Sequence, residues 1–433
     1  MSRSEAPGDV AVLTIVGGSS VSTPVLLEEL GRAWCDPSLP SLEVRLWGRN
    51  DSRARAVAAH GVQRLRRLGI GDHRLSVRVS SELSSALESA EVVLCQVRPG
   101  GFLERARDEA FALSRGIPGD EGLGPSGLRA YLRSRGALDR LHRAIAEVAP
   151  DAALLHMTSP LGLTVARARR DQGLRAYGIC ELAMVTVERV RRAVEPVLQC
   201  GPLQVLHAGL NHRTWLHVFR DASGRDRRAD VLQAIDDPEL VRVDPEVIRR
   251  EGAVPVHYLR LHYHRERELA AQRARPEPRG AELEGWAREL EQAYAAGPDH
   301  PRVAELLGRR DVSWYADGVV PSIAAFFSAE ERRISLNLPA GSGVPGIPAE
   351  AIVELPSRVS RVRQEPLPVE ALPPGPQALM TRFVAYETAV LGLSEVPDSG
   401  ELAGALRAHP WVDDDSVAEA LASGLTLGAG ALG

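Results

Sequence analysis

The chain contains no lysine, so all 52 residues in its Lys and Arg total are arginine. That absence excludes Schiff-base chemistry, a pyridoxal-phosphate anchor, a kinase-type lysine and a Walker A loop. Any general base must be His, Glu, Asp, Tyr or Cys. Aromatic residues are scarce at 4%, and the 4 cysteines (Cys35, Cys95, Cys180, Cys200) are too scattered for a disulfide framework. They point to a reducing compartment. No apolar run is long enough to span a bilayer, and the first ten residues lack the apolar core of a signal peptide. A cytoplasmic protein without a membrane partner is expected. The net charge of −5 and the lack of a long basic run speak against a nucleic-acid partner.

What is present is globular in character: 433 residues, 44% hydrophobic and 25% charged. Residues 10–16 are a short apolar run, followed by a Gly17-Gly18-Ser19-Ser20 turn and a helical pattern over 25–34. Further strands are expected at 42–47, 91–97, 152–157 and 176–180, with helices at 52–68 and 127–148. This alternation predicts an α/β fold with a Rossmann-like, doubly wound parallel sheet over residues 1–200. Beyond it the pattern changes. Strands are expected at 203–206, 214–219, 334–338 and 351–355, a mostly helical stretch at 238–291, and helices at 377–393 and 416–425. Residues 201–433 are therefore expected to form an α+β domain for substrate binding and oligomerisation. The Gly/Ala/Leu-rich tail past residue 425 is expected to fray.

Several short segments carry chemistry. A dinucleotide pyrophosphate needs backbone amides at a helix start and no Cβ where it approaches, which Gly17, Gly18, Ser19 and Ser20 offer. A plain strand–helix turn has the same pattern. The second strand ends in Trp47-Gly48-Arg49-Asn50, without the usual ribose-binding acid. Arg49 suits a 2′-phosphate, which keeps NADP open beside NAD, and it equally suits an exposed turn. Arg98 lies in Val97-Arg98-Pro99-Gly100-Gly101, and Glu121 lies among glycines in 119–127. Cys180-Glu181 follows an apolar strand, and Asn211-His212 follows Gly209-Leu210. A thiolate and an imidazole can share a divalent metal with a carboxylate nearby, although two unrelated buried residues fit the same spacing. Residues 256–264 concentrate Tyr258, Tyr263, His257, His262 and His264. A tyrosine base needs its usual pKa of about 10 lowered by a cation.

In order, these segments resemble the NAD-dependent family 4 glycoside hydrolases, which depart from the two-carboxylate rule of other glycosidases. The resemblance rests on Gly17-Gly18-Ser19-Ser20-Val21-Ser22-Thr23-Pro24, Gln96-Val97-Arg98-Pro99-Gly100-Gly101, Arg105-Ala106-Arg107-Asp108-Glu109 and the glycine-rich 116–127. It continues through Thr158-Ser159-Pro160, Gly178-Ile179-Cys180, Gly209-Leu210-Asn211-His212, Tyr258-Leu259, Tyr386-Glu387 and His409-Pro410. It implies transient oxidation of a sugar C3 hydroxyl by NAD, removal of the acidified C2 proton, loss of the aglycone from C1, addition of water and re-reduction. A divalent metal, usually manganese, would bind the C2 and C3 oxygens. By resemblance, Cys180 and His212 are metal ligands, Tyr258 is the C2 base and Glu181 a candidate acid beside the metal. Glu121, Ser159 and Asn211 would line the substrate site. Gly17, Gly18, Ser19, Ser20, Arg49, Arg98 and Ser159 would face the cofactor.

The departures from the family pattern are informative. The position after the metal cysteine, which varies with substrate preference, is Glu181, and the asparagine of the Thr-Asn-Pro turn is Ser159. The arginine that faces a 6-phosphate in many members falls on Pro339 in Leu336-Asn337-Leu338-Pro339. A glycoside without a 6-phosphate, or otherwise modified, is therefore the expected small-molecule partner, acted on by a homodimer or homotetramer. A net NAD(P)-dependent sugar or cyclitol oxidoreductase and a non-catalytic nucleotide-binding protein are the alternatives.

Overall fold

The structure is a computed structural model that describes residues 10–122, 124–297, 300–310 and 312–429. Six parallel strands open the chain: β1 (Ala11–Val16), β2 (Leu42–Trp47), β3 (Leu75–Ser80), β4 (Val92–Cys95), β5 (Ala153–His156) and β6 (Arg175–Gly178). They lie side by side as β3-β2-β1-β4-β5-β6. This is the doubly wound order, whose direction of travel reverses between β1 and β4. All six residues of β1 are buried, as expected of a strand covered on both faces. β2 alternates buried and half-buried side chains nearer the sheet edge. β3 was not expected from sequence. Its Leu-Ser-Val-Arg-Val-Ser run is polar at alternate positions and only one residue is buried, so it carries no strong apolar signal.

The sheet does not end at residue 200. β7 (Gln204–Leu210) and β8 (Arg213–Arg220) form a hairpin, β9 (Val254–Pro255) pairs with β8, and β10 (Arg332–Pro339) pairs antiparallel with β11 (Ile352–Val359). A short β12 (Gln364–Pro366) caps β11. The β10–β11 pair sits between β6 and β7, giving a 12-stranded mixed sheet. At each seam the pairing is a single residue pair: Asn337 with Gly178, and Glu354 with Gly209.

Helices cover both faces. Thr23–Ala33 starts with Pro24 in its first turn and buries Leu26, Leu27 and Leu30. Asp51–Arg67 is capped by Asn50, whose side chain accepts from the Arg53 amide at 2.9 Å. The stretch expected to be mostly helical contains the helices Pro245–Glu251, Arg265–Arg273 and Arg279–Ala295, interrupted by β9 and a short 3-10 turn over His257–Leu259. Arg265–Arg273 buries no residue, whereas Arg279–Ala295 buries Leu283, Trp286 and Leu290 against the N-terminal half. The final helix, Asp415–Ala429, runs past the point where fraying was expected. Residues 430–433 of that tail lie outside the described residues.

Candidate active site

A cavity of about 810 Å³ opens at the C-terminal ends of β1, β2, β4, β5 and β6, where a doubly wound sheet binds ligands. Gly17, Ser19, Ser20, Arg49, Arg98, Ser159, Glu121, Asn211, Cys180, Glu181, His212 and Tyr258 all line it. Gly18 does not. A Cβ on Gly18 would stand 2.8 Å from the Leu46 Cβ, so this glycine lets the turn lie against β2. The neighbouring Gly17 adopts φ +90°, open to glycine at no steric cost. The amides of Gly17 and Gly18 donate to the Trp47 carbonyl at 3.0 and 2.8 Å, tying the turn to the end of β2. Gln96, which follows β4, donates from Nε2 to the Gly17 carbonyl at 3.2 Å and accepts from the Tyr315 hydroxyl at 2.9 Å.

The other wall is built from strand ends and one tight hairpin. Cys180 lies just past β6. Asn211 and His212 form the two-residue connection between β7 and β8, and His212 takes φ +63°. A non-glycine residue in that left-handed region marks a backbone held by its surroundings. The His212 ring stacks on Tyr258 with centroids 4.2 Å apart and planes inclined by 16°. Its Nδ1 is buried without a hydrogen-bond partner. The Cys180 Sγ lies 3.8 Å from the Glu181 carboxylate. Burial first, and then the Glu181 and Glu354 carboxylates, push the Cys180 thiol well above its ordinary range. A sulfur and an imidazole nitrogen left in this condition fit a divalent cation, which deprotonates a thiol it binds and fills the vacant nitrogen lone pair. Among the described residues no group of three or more His, Cys, Asp or Glu side chains could hold a metal. A cation here would therefore have open positions for other oxygens.

Tyr258 is half-buried in the 3-10 turn. Burial first, then Asp120 and Glu121, push its hydroxyl above the ordinary range, and Arg105 and Arg260 offset this only in part. Glu121 behaves in the opposite way. Burial alone would raise its pKa, but Arg105 and Arg98 hold it far below the carboxylate range. Arg105 approaches it at 3.0 Å and Arg98 pairs with it as well. Glu121 is thus a fixed anion between two cations, positioned beside Tyr258.

Four contributors carried no separate role in the sequence reading. Arg105 lines the cavity and bridges Glu109 and Glu121. Arg213, next to His212, is a buried cation. It donates to the Asn211 carbonyl at 3.3 Å, to the Gly122 carbonyl at 3.2 Å and to Glu387 at 2.8 Å. Glu354, fully buried on β11, accepts from Thr214 and from Asn337. Burial, opposed by those two bonds and reinforced by Glu181, raises its pKa to about 7. Arg310 also reaches the cavity, over the Trp286 and Trp314 rings. Such residues read as solvated charges in sequence; only the four-residue spacing of Arg105 and Glu109 hints at a pair. Pro339, where a phosphate-facing arginine was considered, is not among the lining residues.

Comparison with known proteins gives the family. Residues 11–196 match the profile "Family 4 glycosyl hydrolase", and residues 207–412 match "Family 4 glycosyl hydrolase C-terminal domain". The chain belongs to family 4 of the glycosyl hydrolases. It is a glycosidase of that NAD-dependent family. Among its relatives is a probable 6-phospho-beta-glucosidase of Bacillus subtilis (strain 168), 23% identical over 94% of this chain and 93% of the relative. An alpha-galacturonidase of the same organism is 26% identical over 80% of this chain and 82% of its own length. In fold the chain is similar to the 6-phospho-beta glucosidase of Thermotoga maritima, solved with manganese, NAD+ and glucose-6-phosphate. The TM-score is 0.82 at 20% identity, over 96% of this chain and 97% of that one. Among the described residues no helix is long and apolar enough to cross a membrane.

Proposed function

We propose that this family 4 glycosidase cleaves a glycoside lacking a 6-phosphate through transient oxidation at C3, using NAD or NADP and a divalent metal, with manganese the first choice. The carrying observation is that one cavity joins the Gly17–Ser20 turn to Cys180, His212 and Tyr258. A dinucleotide bound along the turn would take up and return the C3 hydride, and a metal held by Cys180 and His212 would polarise the C2 and C3 oxygens. Gly17, Gly18, Ser19, Ser20, Arg49, Arg98 and Ser159 form or support the cofactor wall. Glu121, Ser159 and Asn211 orient the sugar.

Tyr258 is the base for the C2 proton. Its ring stacks on His212, and a cation bound there would counter the burial that holds the hydroxyl pKa up. Glu181, beside Cys180, is placed to pass a proton to the departing aglycone or take one from the incoming water. The absence of an arginine at Pro339, together with an alpha-galacturonidase among the relatives, supports a sugar without a 6-phosphate. We further assign residues 1–200 to dinucleotide binding and 201–433 to substrate binding and assembly as a homodimer or homotetramer in the cytoplasm.

The test is a screen of nitrophenyl glycosides and uronides, with and without a 6-phosphate, in the presence of dinucleotide, Mn2+ and reductant. Release of nitrophenol by the wild type and its loss in Tyr258→Phe are expected. Unchanged cleavage by Tyr258→Phe, or steady accumulation of reduced dinucleotide, would contradict the mechanism; the latter outcome belongs to a net oxidoreductase.

A further inference from the structure

The end of β2 is where the adenosine ribose of a dinucleotide lies in a doubly wound sheet, and a carboxylate there commonly accepts from its hydroxyls. In this chain the strand ends at Trp47, whose carbonyl is already taken by the Gly17 and Gly18 amides, and Gly48, Arg49 and Asn50 follow. None of these side chains is an acid. Asn50 is spent on capping the next helix. Trp47, Gly48, Arg49, Asn50 and Arg53 all line the cavity.

The carboxylates that line this end of the cavity are engaged, and so is Asp51. Asp51 is held by Arg55 at 2.8 Å and is not a lining residue. Glu291 pairs with Arg53 at 3.1 Å, and Glu284 with Arg288 at 2.8 Å. Arg49, by contrast, is exposed at the cavity rim and makes no hydrogen bond or ion pair to any described residue. The Nε of Arg53 is buried without a partner. This end of the cavity thus carries one uncompensated guanidinium and a second, half-satisfied one, and both carboxylates lining it, Glu284 and Glu291, are paired with arginines. A guanidinium fork matches a phosphate in shape and charge.

We propose that Arg49, supported by Arg53, forms a 2′-phosphate subsite, so that the chain binds NADP(H) in preference to NAD(H). The proposal rests on the reading of the cavity as a dinucleotide site. Arg49 acts on affinity for the adenosine end and touches no reacting atom.

Isothermal titration of the full chain with NAD+, NADP+, 5′-AMP and 2′,5′-ADP tests it without any turnover. NADP+ and 2′,5′-ADP should each bind about tenfold or more tightly than the partner lacking the 2′-phosphate, the scale of a charge-assisted hydrogen bond. Arg49→Ala should abolish that difference, and Arg49→Glu should reverse it. Since Arg49 is exposed and unpartnered, both variants should keep the wild-type circular dichroism spectrum. Equal or tighter binding of NAD+, or a preference unchanged in Arg49→Ala, would overturn the subsite while leaving the dinucleotide site standing. If none of the four ligands binds, the dinucleotide reading falls and the subsite with it.

Discussion

Replacing Glu387 with glutamine tests how the hairpin that carries His212 is held. Glu387 and Arg213 meet at 2.8 Å with side chains 9% and 3% exposed. The site is tight as well as dry: a Cβ on Gly162 would stand 2.6 Å from a Glu387 carboxylate oxygen, leaving little room for a compensating water. Removing one partner of a buried ion pair strands the other charge at a cost of about 3–5 kcal/mol. That is a large part of a typical unfolding free energy of about 5–15 kcal/mol. Burial pushes the Glu387 carboxyl upward against the pull of Arg213, and replacing both partners of such a pair by apolar residues of similar volume is often neutral. The double variant Arg213→Met/Glu387→Leu should therefore unfold within about 2 kcal/mol of the wild type. It would nevertheless lose the Arg213 bonds to the Gly122 and Asn211 carbonyls, and with them the fixed approach of the Glu121 loop to the hairpin. Urea unfolding measures the first effect and Mn2+ binding the second. The reasoning fails if Glu387→Gln costs under about 1 kcal/mol, or if the double variant is as unstable as the single one.

Other expectations follow from the same geometry. Cys180→Ser and His212→Ala should each weaken Mn2+ binding at least about tenfold, read by the free-ion paramagnetic resonance signal; wild-type affinity in both would remove these residues from the metal site. Glu354 titrates at about 7 when folded, against 4.5 as an ordinary carboxyl. The folded chain then holds a proton that the unfolded chain has shed, so this group's contribution is present below pH 4.5 and fades as pH rises through 7. Glu354→Gln should gain up to about 3 kcal/mol relative to wild type at pH 8 and little at pH 4; a pH-independent difference in urea midpoints would count against it. Gly18→Ala should lower stability by about 1–3 kcal/mol, because the added methyl meets Leu46; an unchanged thermal midpoint would show that the turn can move away from β2.

Much of the N-terminal half is legible because its signals are local. The apolar run of β1 and the glycine turn after it announce a buried central strand and its crossover. The helix Ser399–Arg407 was passed over although Asp398 and Glu401 form a capping box, a signal that the sequence does carry. What local periodicity cannot show is pairing at long range. Nothing in residues 332–359 says that they slot between β6 and β7, yet that insertion sets Glu354 close enough to influence Cys180. Arg213 and Arg105 were illegible for a related reason. A charged residue in a strand or helix is ordinarily solvated, and only the partners brought by tertiary packing make it an internal one.

The seams on either side of the β10–β11 pair also impose an order of assembly. Cys180 follows the strand on one side of the gap and His212 follows β7, the strand on the other, but the hairpin that fills the gap is synthesised more than a hundred residues later. A nascent chain can pair its first six strands and close the β7–β8 hairpin, with only the packing of the intervening helix Leu182–Leu198 on β8 to relate the two. Cys180 and His212 belong to one continuous sheet only once residue 359 has left the ribosome. Truncation between residues 221 and 331 should leave Cys180 and His212 both present, without the strands that join their halves of the sheet.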